Sequence, residues 1–312
     1  MSMPRRARVR ALAKINLDLR VLYRRPDRFH ELRSIFHTIS LGDVIDLAFT
    51  PGPRTQIGLE SDIDIPDNLV ARAARTVLDA MRRTGRVELG LHKNIPMGAG
   101  LGGGSTDAAA VLLALPVLAG GEIPLPELMR LAAGLGSDVP YFLLGGRAAV
   151  TGRGEELYPL APLPAARGLV AAPGVHVSTP EAYRALSPRL TAESQQNKIV
   201  SFQSIIWEET DEPPANDFEP IVFEWYPELK ALKGRLAKLG GRPVLMTGSG
   251  SAIFGLFDTR EKLARAVKSI REVSVFPFSL VSRARYRSMW WRQLRPHSLN
   301  QNLWPPRSRY VR

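Results

Sequence analysis

Cysteine is absent from this chain. Without a thiol there is no disulfide framework and no thiolate metal site, a composition that suits a reducing compartment, and a cytoplasmic location is the expectation. Long apolar runs are missing as well. No stretch approaches the ~18 residues of a membrane-spanning helix, so no membrane partner is expected. The first ten residues, MSMPRRARVR, carry basic side chains with no apolar segment behind them, which argues against a secretory signal.

Acidic residues are missing from both ends. Residues 1–10 hold Arg5, Arg6, Arg8 and Arg10, and residues 283–312 hold Arg283, Arg285, Arg287, Arg292, Arg295, Arg307, Arg309 and Arg312, with no Asp or Glu in either segment. These arginines account for the whole formal net charge of +12, so residues 11–282 are electrically balanced. That distribution excludes a basic groove across the body, and no specific nucleic-acid partner is expected. A basic end can touch nucleic acid nonspecifically, but a solvated extension is the plainer reading. Residues 286–312 are accordingly expected to form a basic tail. Trp290 and Trp291 pack on the body in this reading, with Pro296–Arg312 disordered or loosely docked.

What is present is the composition of an ordinary globular protein, 45% hydrophobic and 23% charged over 312 residues, long enough for two domains. The densest motif is Pro96–Ala110, PMGAGLGGGSTDAAA, where glycines at 98, 100, 102, 103 and 104 run into a helical pattern that reaches Ala119. Glycines let the backbone approach a ligand and turn its N–H groups inward. Ser105, Thr106 and Asp107 suit the cap and first turn of the helix that follows. A glycine loop feeding a helix N-terminus is a phosphate cradle, and Gly103 in particular is expected at positive φ. The dinucleotide fingerprint G-x-G-x-x-G is formally satisfied, but no second strand follows at the right distance. The P-loop template fails because Gly104 stands where its lysine belongs. Charge on bound phosphates must then be met by magnesium and by a cation from elsewhere in the chain.

The rest of the chain reads as alternating strands and helices. Val9–Val21 alternates as a strand with Lys14 and Asn16 on one face; on residues alone they could be the solvated face of an edge strand. Arg24–Leu32 is a turn leading to strands Ser34–Ile39 and Val44–Phe49, which Leu41-Gly42-Asp43 separates. Thr55–Leu59 and Val87–Leu91 are further strands, and Leu69–Arg83 is an amphipathic helix capped by Asp67 or Asn68. Lys93, next to the glycine loop, suits an ATP contact or a solvated lysine equally. Asp138 follows a helix that ends near Leu135 and precedes Val139-Pro140. It reads either as a turn former or as the carboxylate that kinase chemistry needs near an attacking hydroxyl. Arg147–Thr151, Leu169–Ala172, Val244–Met246, Ile253–Phe257 and Phe276–Val281 are strands, Pro227–Leu239 and Thr259–Ile270 helices. Thr179 reads as a helix N-cap before Pro180. Residues 186–216 read as an exposed crossover. Gly248-Ser249-Gly250, between two apolar runs, forms a second glycine loop.

The loop Pro96-Met97-Gly98-Ala99-Gly100-Leu101-Gly102-Gly103-Gly104-Ser105 resembles the P-x-G-x-G-L-G-S/G-S loop of the GHMP kinases, and Met246–Ala252 is similar to their third motif. Ala13–Leu17, Arg24–Leu32, Leu135–Phe142 and Val177–Tyr183 are similar to segments of one branch of that superfamily, which acts on a cytidine diphosphate compound of isoprenoid-precursor synthesis. Arg28 stands where that branch normally has glycine. The resemblance implies an α+β, two-domain GHMP kinase-like fold with the active site in the interdomain cleft. Residues 1–160 would be the N-terminal domain and 161–285 the C-terminal one. It also implies magnesium-dependent transfer of the ATP γ-phosphate to a substrate hydroxyl, with Lys14 and Asp138 catalytic. ATP would be held by Asn68, Lys93 and the loop from Pro96 to Thr106, with Ser105 or Thr106 near the metal. Asn16, Phe29, His30, Asp138, Thr179, Tyr183, Gly248, Ser249 and Gly250 would bind the small-molecule cytidine diphosphate substrate, Phe29 by stacking and His30 by hydrogen bonds. Another GHMP activity, on mevalonate, homoserine or a sugar, and a noncatalytic nucleotide or nucleic-acid binder are the alternative readings.

Overall fold

The apolar alternation beginning at Val9 does form a strand, longer in both directions than the pattern predicts. The computed structural model describes residues 3–207, 213–299 and 303–310. Strand β1 spans Arg5–Arg24 and pairs antiparallel along nearly its whole length with β2, His30–Pro51. Two strands broken at Leu41-Gly42-Asp43 are thus one continuous strand. Gly42 explains the difference: a Cβ there would stand 2.7 Å from the Ala11 carbonyl oxygen, so glycine keeps the strands paired where the register shifts. Two of the three shifts fall between Leu12 and Lys14 and between Asn16 and Asp18. Such bulges re-aim side chains, and here they bracket the two polar residues singled out in this strand.

The chain continues through β3 (Gln56–Ser61), α1 (Leu69–Ala80), β4 (Gly85–His92), α2 (Gly103–Ala119), α3 (Leu125–Leu135), α4 (Val139–Leu144), β5 (Arg147–Gly152) and β6 (Glu156–Pro159). Five of these strands follow the order β3-β4-β2-β5-β6, with β1 against the far side of β2. Helix α2 is buried at every residue from Thr106 to Ala119. A helix apolar on all sides belongs in a core, and α2 is the centre of the cluster that joins α1, α3, α4 and the first sheet.

A second sheet, ordered β10-β7-β9-β8, comes from β7 (Arg167–Ala172), β8 (Val244–Met246), β9 (Ile253–Phe257) and β10 (Ser274–Ser279). Between and around these strands lie α5 (Thr179–Leu186), α6 (Ala192–Trp207), α7 (Glu219–Trp225), α8 (Pro227–Lys238) and α9 (Arg260–Ser269). Its strands supply Val170, Leu245 and Phe254 to an apolar layer shared with Ile15 and Leu17 of β1 and with Ala99 and Leu101 of the glycine loop. The glycine loop is therefore anchored between the two halves of the molecule.

Two further expectations fail. The stretch read as an exposed crossover contains α6, whose Phe202 is buried and whose Lys198 bonds the Val21 carbonyl at 3.0 Å and pairs with Asp217 at 2.6 Å; residues 208–212 lie outside the described residues. The basic tail is not loose where it is described. Residues Arg283–Leu294 form α10, which buries Tyr286, Trp290 and Leu294 in the α2 cluster. Beyond it, Ser308 donates to the Val117 carbonyl at 2.7 Å and Arg5 stacks on Tyr310. Its tryptophans and tyrosines, spaced among arginines, are the physical reason: each carries enough apolar area to dock a segment whose charges stay in water.

Candidate active site

Alternate glycines of the loop, Gly98, Gly100 and Gly102, adopt φ of 63°, 75° and 72°, which a β-carbon disfavours. Gly103 is helical instead, as the first residue of α2, so the expectation of positive φ there is corrected; its constraint is space, since a Cβ would sit 3.3 Å from Lys93 Nζ and from Ile95. The cap is Gly102, with no side-chain hydrogen bond. Thr106, read as a cap or metal neighbour, is buried and donates to the Leu12 carbonyl at 2.9 Å, so its hydroxyl is committed to the fold. Ser105 is half-exposed on the same turn and Gly104 is exposed. Pro96 and Met97 edge the loop, Met97 largely in solvent, while Ala99 and Leu101 point into the apolar layer.

The two glycine loops interlock. A Cβ on Gly100 would lie 2.0 Å from the Thr247 carbonyl oxygen, and one on Gly248 would lie 3.0 Å from Gly100 Cα. Asn16 ties them to β1. Its Oδ1 accepts from Lys14 Nζ at 2.6 Å and from the Gly248 N–H at 2.9 Å, with Thr247 Oγ1 at 3.1 Å, while its Nδ2 donates to Ser34 at 2.9 Å. The Lys14 N–H donates to the Leu101 carbonyl at 3.0 Å. Asn216, which the sequence did not single out, donates to the carbonyls of Met246 and Gly248 at 2.7 and 2.8 Å and shapes the second loop. Lys14 and Asn16 are buried, not on a solvated edge.

Asp138 meets Lys14 here. Its carboxylate stands 3.7 Å from Lys14 Nζ and is about one-third exposed. Although Asp138 precedes α4, it makes no side-chain cap bond, so its carboxylate is free for other work. Burial pulls the Lys14 pKa below the usual lysine value, and the Asp138 carboxylate draws it part of the way back. A partly desolvated ammonium beside a reachable carboxylate can hold a hydroxyl, accept its proton and offset new negative charge.

A cavity of about 770 Å³ opens from this pair. Lys14, Asn16, Phe29, His30, Gly100, Gly102, Asp138, Thr179, Tyr183, Gly248 and Ser249 all line it; Gly250 is not among its walls. Phe29 is 52% exposed with the Arg153 guanidinium 5.0 Å from its ring centroid. Its turn is held by the Arg25 N–H to the Phe29 carbonyl at 2.7 Å and by Asp27, which accepts from the Phe29 N–H at 3.1 Å. Arg28, in the place of the family's glycine, has φ of 72°. His30 stacks on Tyr183 with centroids 4.8 Å apart, and its Nε2 is 2.7 Å from Ser187 Oγ. Ser187 donates its one hydroxyl proton to the Tyr183 carbonyl at 2.9 Å, so Nε2 carries the proton and Nδ1 remains an acceptor. Burial, and then Arg24, push the His30 pKa below the usual histidine value, which keeps the ring neutral at pH 7. Thr179 is not an N-cap: Ser178 precedes α5, and the Thr179 hydroxyl lies 2.7 Å from Ser249 Oγ. Arg24, Arg28, Arg153 and Arg184 also line the cavity, against one carboxylate among the described residues, Asp138. Sequence reading gave Arg153 no role, although Gly152 and Gly154 on either side, both at positive φ, mark a turn.

Asn68 and Lys93 lie away from this cavity, on the side of the loop where α2 begins. Asn68 Oδ1 caps α1 by accepting from the Val70 N–H at 3.0 Å, and its Nδ2 is buried without a partner. Lys93 is no solvated lysine. It is buried between Asp43 and Asp107, 2.7 Å from the latter, behind Gly103.

Comparisons with known proteins bear on the family and the fold. The model of the GHMP kinases N terminal domain matches residues 68–146, and that of the GHMP kinases C terminal matches residues 205–274. A 4-diphosphocytidyl-2-C-methyl-D-erythritol kinase of Solibacter usitatus is 57% identical, covering 99% of both chains. One of Thermus thermophilus is 43% identical over 84% of this chain and 91% of its own length. Among solved structures, a 4-(cytidine 5'-diphospho)-2C-methyl-D-erythritol kinase superposes with a TM-score of 0.73 at 39% identity, over 89% of this chain and 99% of its own. A homoserine kinase from Cytophaga hutchinsonii, 19% identical with a TM-score of 0.66 over 90% of this chain and 96% of its own, shares the fold.

Proposed function

This chain belongs to the 4-diphosphocytidyl-2-C-methyl-D-erythritol kinases, a family of two-domain α+β GHMP kinases, and we propose that it transfers the γ-phosphate of ATP to the 2-hydroxyl of that cytidine compound. The observation that carries the reading is the cavity that joins Lys14 and Asp138 to the Phe29–His30 turn, beside a glycine loop. The Phe29 ring offers an open π-face to a pyrimidine, and His30 Nδ1 an acceptor to its exocyclic amine. Four arginines beside one carboxylate, among the described residues lining the cavity, suit a diphosphate linker.

Asp138 accepts the proton of the attacking hydroxyl, and Lys14, held by Asn16, offsets the charge on that oxygen and on the incoming phosphoryl group. Backbone N–H groups of residues 98–106 and the start of α2 hold the nucleotide phosphates. The partnerless Nδ2 of Asn68 is a donor on the nucleotide side. Lys93, its ammonium taken up by Asp43 and Asp107, supports α2 from behind the loop rather than contacting ATP. Magnesium is part of the proposal. Among the described residues no three His, Asp or Glu side chains gather as a metal-binding group, which fits an ion carried in by nucleotide phosphates, with Ser105 the side chain that would hold it. Bound there, it would neutralise phosphate charge. No described helix is long and apolar enough to cross a membrane, and a cytoplasmic setting belongs to the same proposal.

The test is ADP release with ATP, magnesium and a panel of acceptors. Turnover with the diphosphocytidyl compound, and little with mevalonate, homoserine or galactose, is the expected result. Preference for one of those three would leave the fold standing and overturn the substrate assignment.

A further inference from the structure

We propose that the C-terminal arm, in its described residues 283–299 and 303–310, is a positioning element of the catalytic site: it caps the C-terminal end of α4 and so holds Asp138, at the opposite end of that helix, against Lys14. The inference rests on the reading of Asp138 as catalytic. Helix α4 has six residues, too few to be stable alone, and a helix end leaves its last carbonyls without intrahelical partners. The arm supplies the missing donors. Tyr286 Oη donates to the Phe142 carbonyl at 2.6 Å and Trp304 Nε1 to the Leu143 carbonyl at 3.0 Å. Arg283 donates to the Gly145 carbonyl at 3.1 Å and to that of Arg147 at 2.6 Å. It thereby brings a cation to the negative end of the helix.

The fit is close enough to dictate sequence. A Cβ on Gly145 would lie 2.5 Å from the Tyr286 ring, and one on Gly146 would lie 2.7 Å from the Arg283 backbone nitrogen. The Gly145-Gly146 pair meets two demands at once, this close contact and backbone φ of 63° and 79°, which a β-carbon disfavours. The arm is fastened at its far end too, by Ser308 to the Val117 carbonyl at 2.7 Å and by Arg307 to Glu122 at 2.7 Å. From α4 the support reaches the reaction centre by two short routes. One is Asp138 itself. The other is the Phe142 ring, which fills the space over Gly102: a Cβ there would meet the ring at 2.7 Å and the Lys14 stem at 3.4 Å.

The experiment uses the full chain with Tyr286→Phe, Arg283→Met and Arg283→Lys. Tyr286→Phe keeps the ring and loses the hydroxyl; Arg283→Met keeps most of the length and loses the donors. Both are expected to lower kcat with the cytidine substrate about fivefold or more, within the roughly 100-fold that a 1 Å misplacement costs. The KM for ATP should stay within about twofold, and Arg283→Lys should recover part of the loss. The alkaline limb of kcat should move to lower pH, because a displaced Asp138 supports the Lys14 charge less well. Unchanged kcat and pH profile in folded variants would overturn the proposal. So would a fall in melting temperature with a parallel loss of ATP binding, since that marks a merely structural arm. The wild type, run alongside, separates the two claims: its failure to turn over overturns the reading of the site, whereas its activity beside unaltered variants overturns the positioning role alone.

Discussion

Beneath the phosphate loop two carboxylates share one ammonium, and replacing Asp107 by asparagine should change how stability depends on pH. Asp43 is well satisfied: its Oδ1 accepts the N–H groups of Asn94 and Ile95 at 2.6 and 2.7 Å, and its Oδ2 pairs with Lys93. Asp107 has only Lys93 on Oδ2, and its Oδ1 is buried without a partner. Burial pushes the Asp107 pKa up to about 7, with Lys93 opposing and Asp43 reinforcing the rise. A carboxyl raised in the folded state contributes stability that is complete below the ordinary aspartate pKa and is lost as pH rises through the folded value. From about 4 to about 7 is roughly three units, or up to about 4 kcal/mol at 1.36 kcal/mol per unit. At ~2 °C per kcal/mol for a chain of this size, that is a drop of up to about 8 °C. Asp107→Asn removes this titration and leaves the others, so the melting temperature of the variant should climb relative to wild type between pH 4.5 and 8.5. Thermal melts of both proteins across that range are the assay. Parallel curves would refute the account of the cluster. Asp43→Asn, by contrast, should cost about 3–5 kcal/mol throughout, the usual penalty for breaking a buried pair.

The remaining predictions concern the cleft. Asp138→Asn should lower kcat by roughly 10²–10⁴-fold, the worth of a positioned base, with ATP affinity unchanged by calorimetry; near-wild-type turnover would leave Asp138 a turn residue. Phe29→Ala should weaken the cytidine substrate by roughly 5- to 150-fold, from a stacking worth of about 1–3 kcal/mol, and should leave the KM for ATP alone. Arg28→Gly should stabilise the fold by about 1 kcal/mol in denaturant titration, because a left-handed residue with a β-carbon is strained; an acceptor KM that rises at the same time would assign Arg28 to the diphosphate.

Much of this was legible in the sequence because the signals are local. The glycine density from 98 to 104 announces a backbone that can approach a ligand, although the positive φ expected at Gly103 falls on Gly98, Gly100 and Gly102, and Lys14 and Asn16 two residues apart must share a strand face. The resemblance in Arg24–Leu32 and Gly136–Pro140 pointed to residues that the fold brings to one cavity. What was missed depends on distance along the chain. Lys93 read as an ATP contact or a solvated lysine until the fold set Asp43 and Asp107, 50 and 14 residues away, on either side of it. Packing by Trp290 was legible from its bulk, but the rest of the arm read as loose because its charge is conspicuous, whereas Tyr286 and Leu294 join the α2 cluster only through the fold. Gly42 read as a strand break because nothing in its own neighbourhood reveals that β1 crosses over it. Charge and glycine report local tendencies; partners come from topology.

The most direct test of the central claim is the position of the new phosphate, read by proton-coupled ³¹P NMR on the product made from ATP and 4-diphosphocytidyl-2-C-methyl-D-erythritol. Carbon 2 bears the methyl group and no hydrogen, so a phosphate on its oxygen has no three-bond proton partner. If Lys14 and Asp138 address the 2-hydroxyl, a new phosphomonoester singlet will appear beside the two unchanged diphosphate resonances. A new resonance split by neighbouring protons would put the phosphate on another hydroxyl, and no new resonance beside released inorganic phosphate would mean hydrolysis; either result contradicts the account.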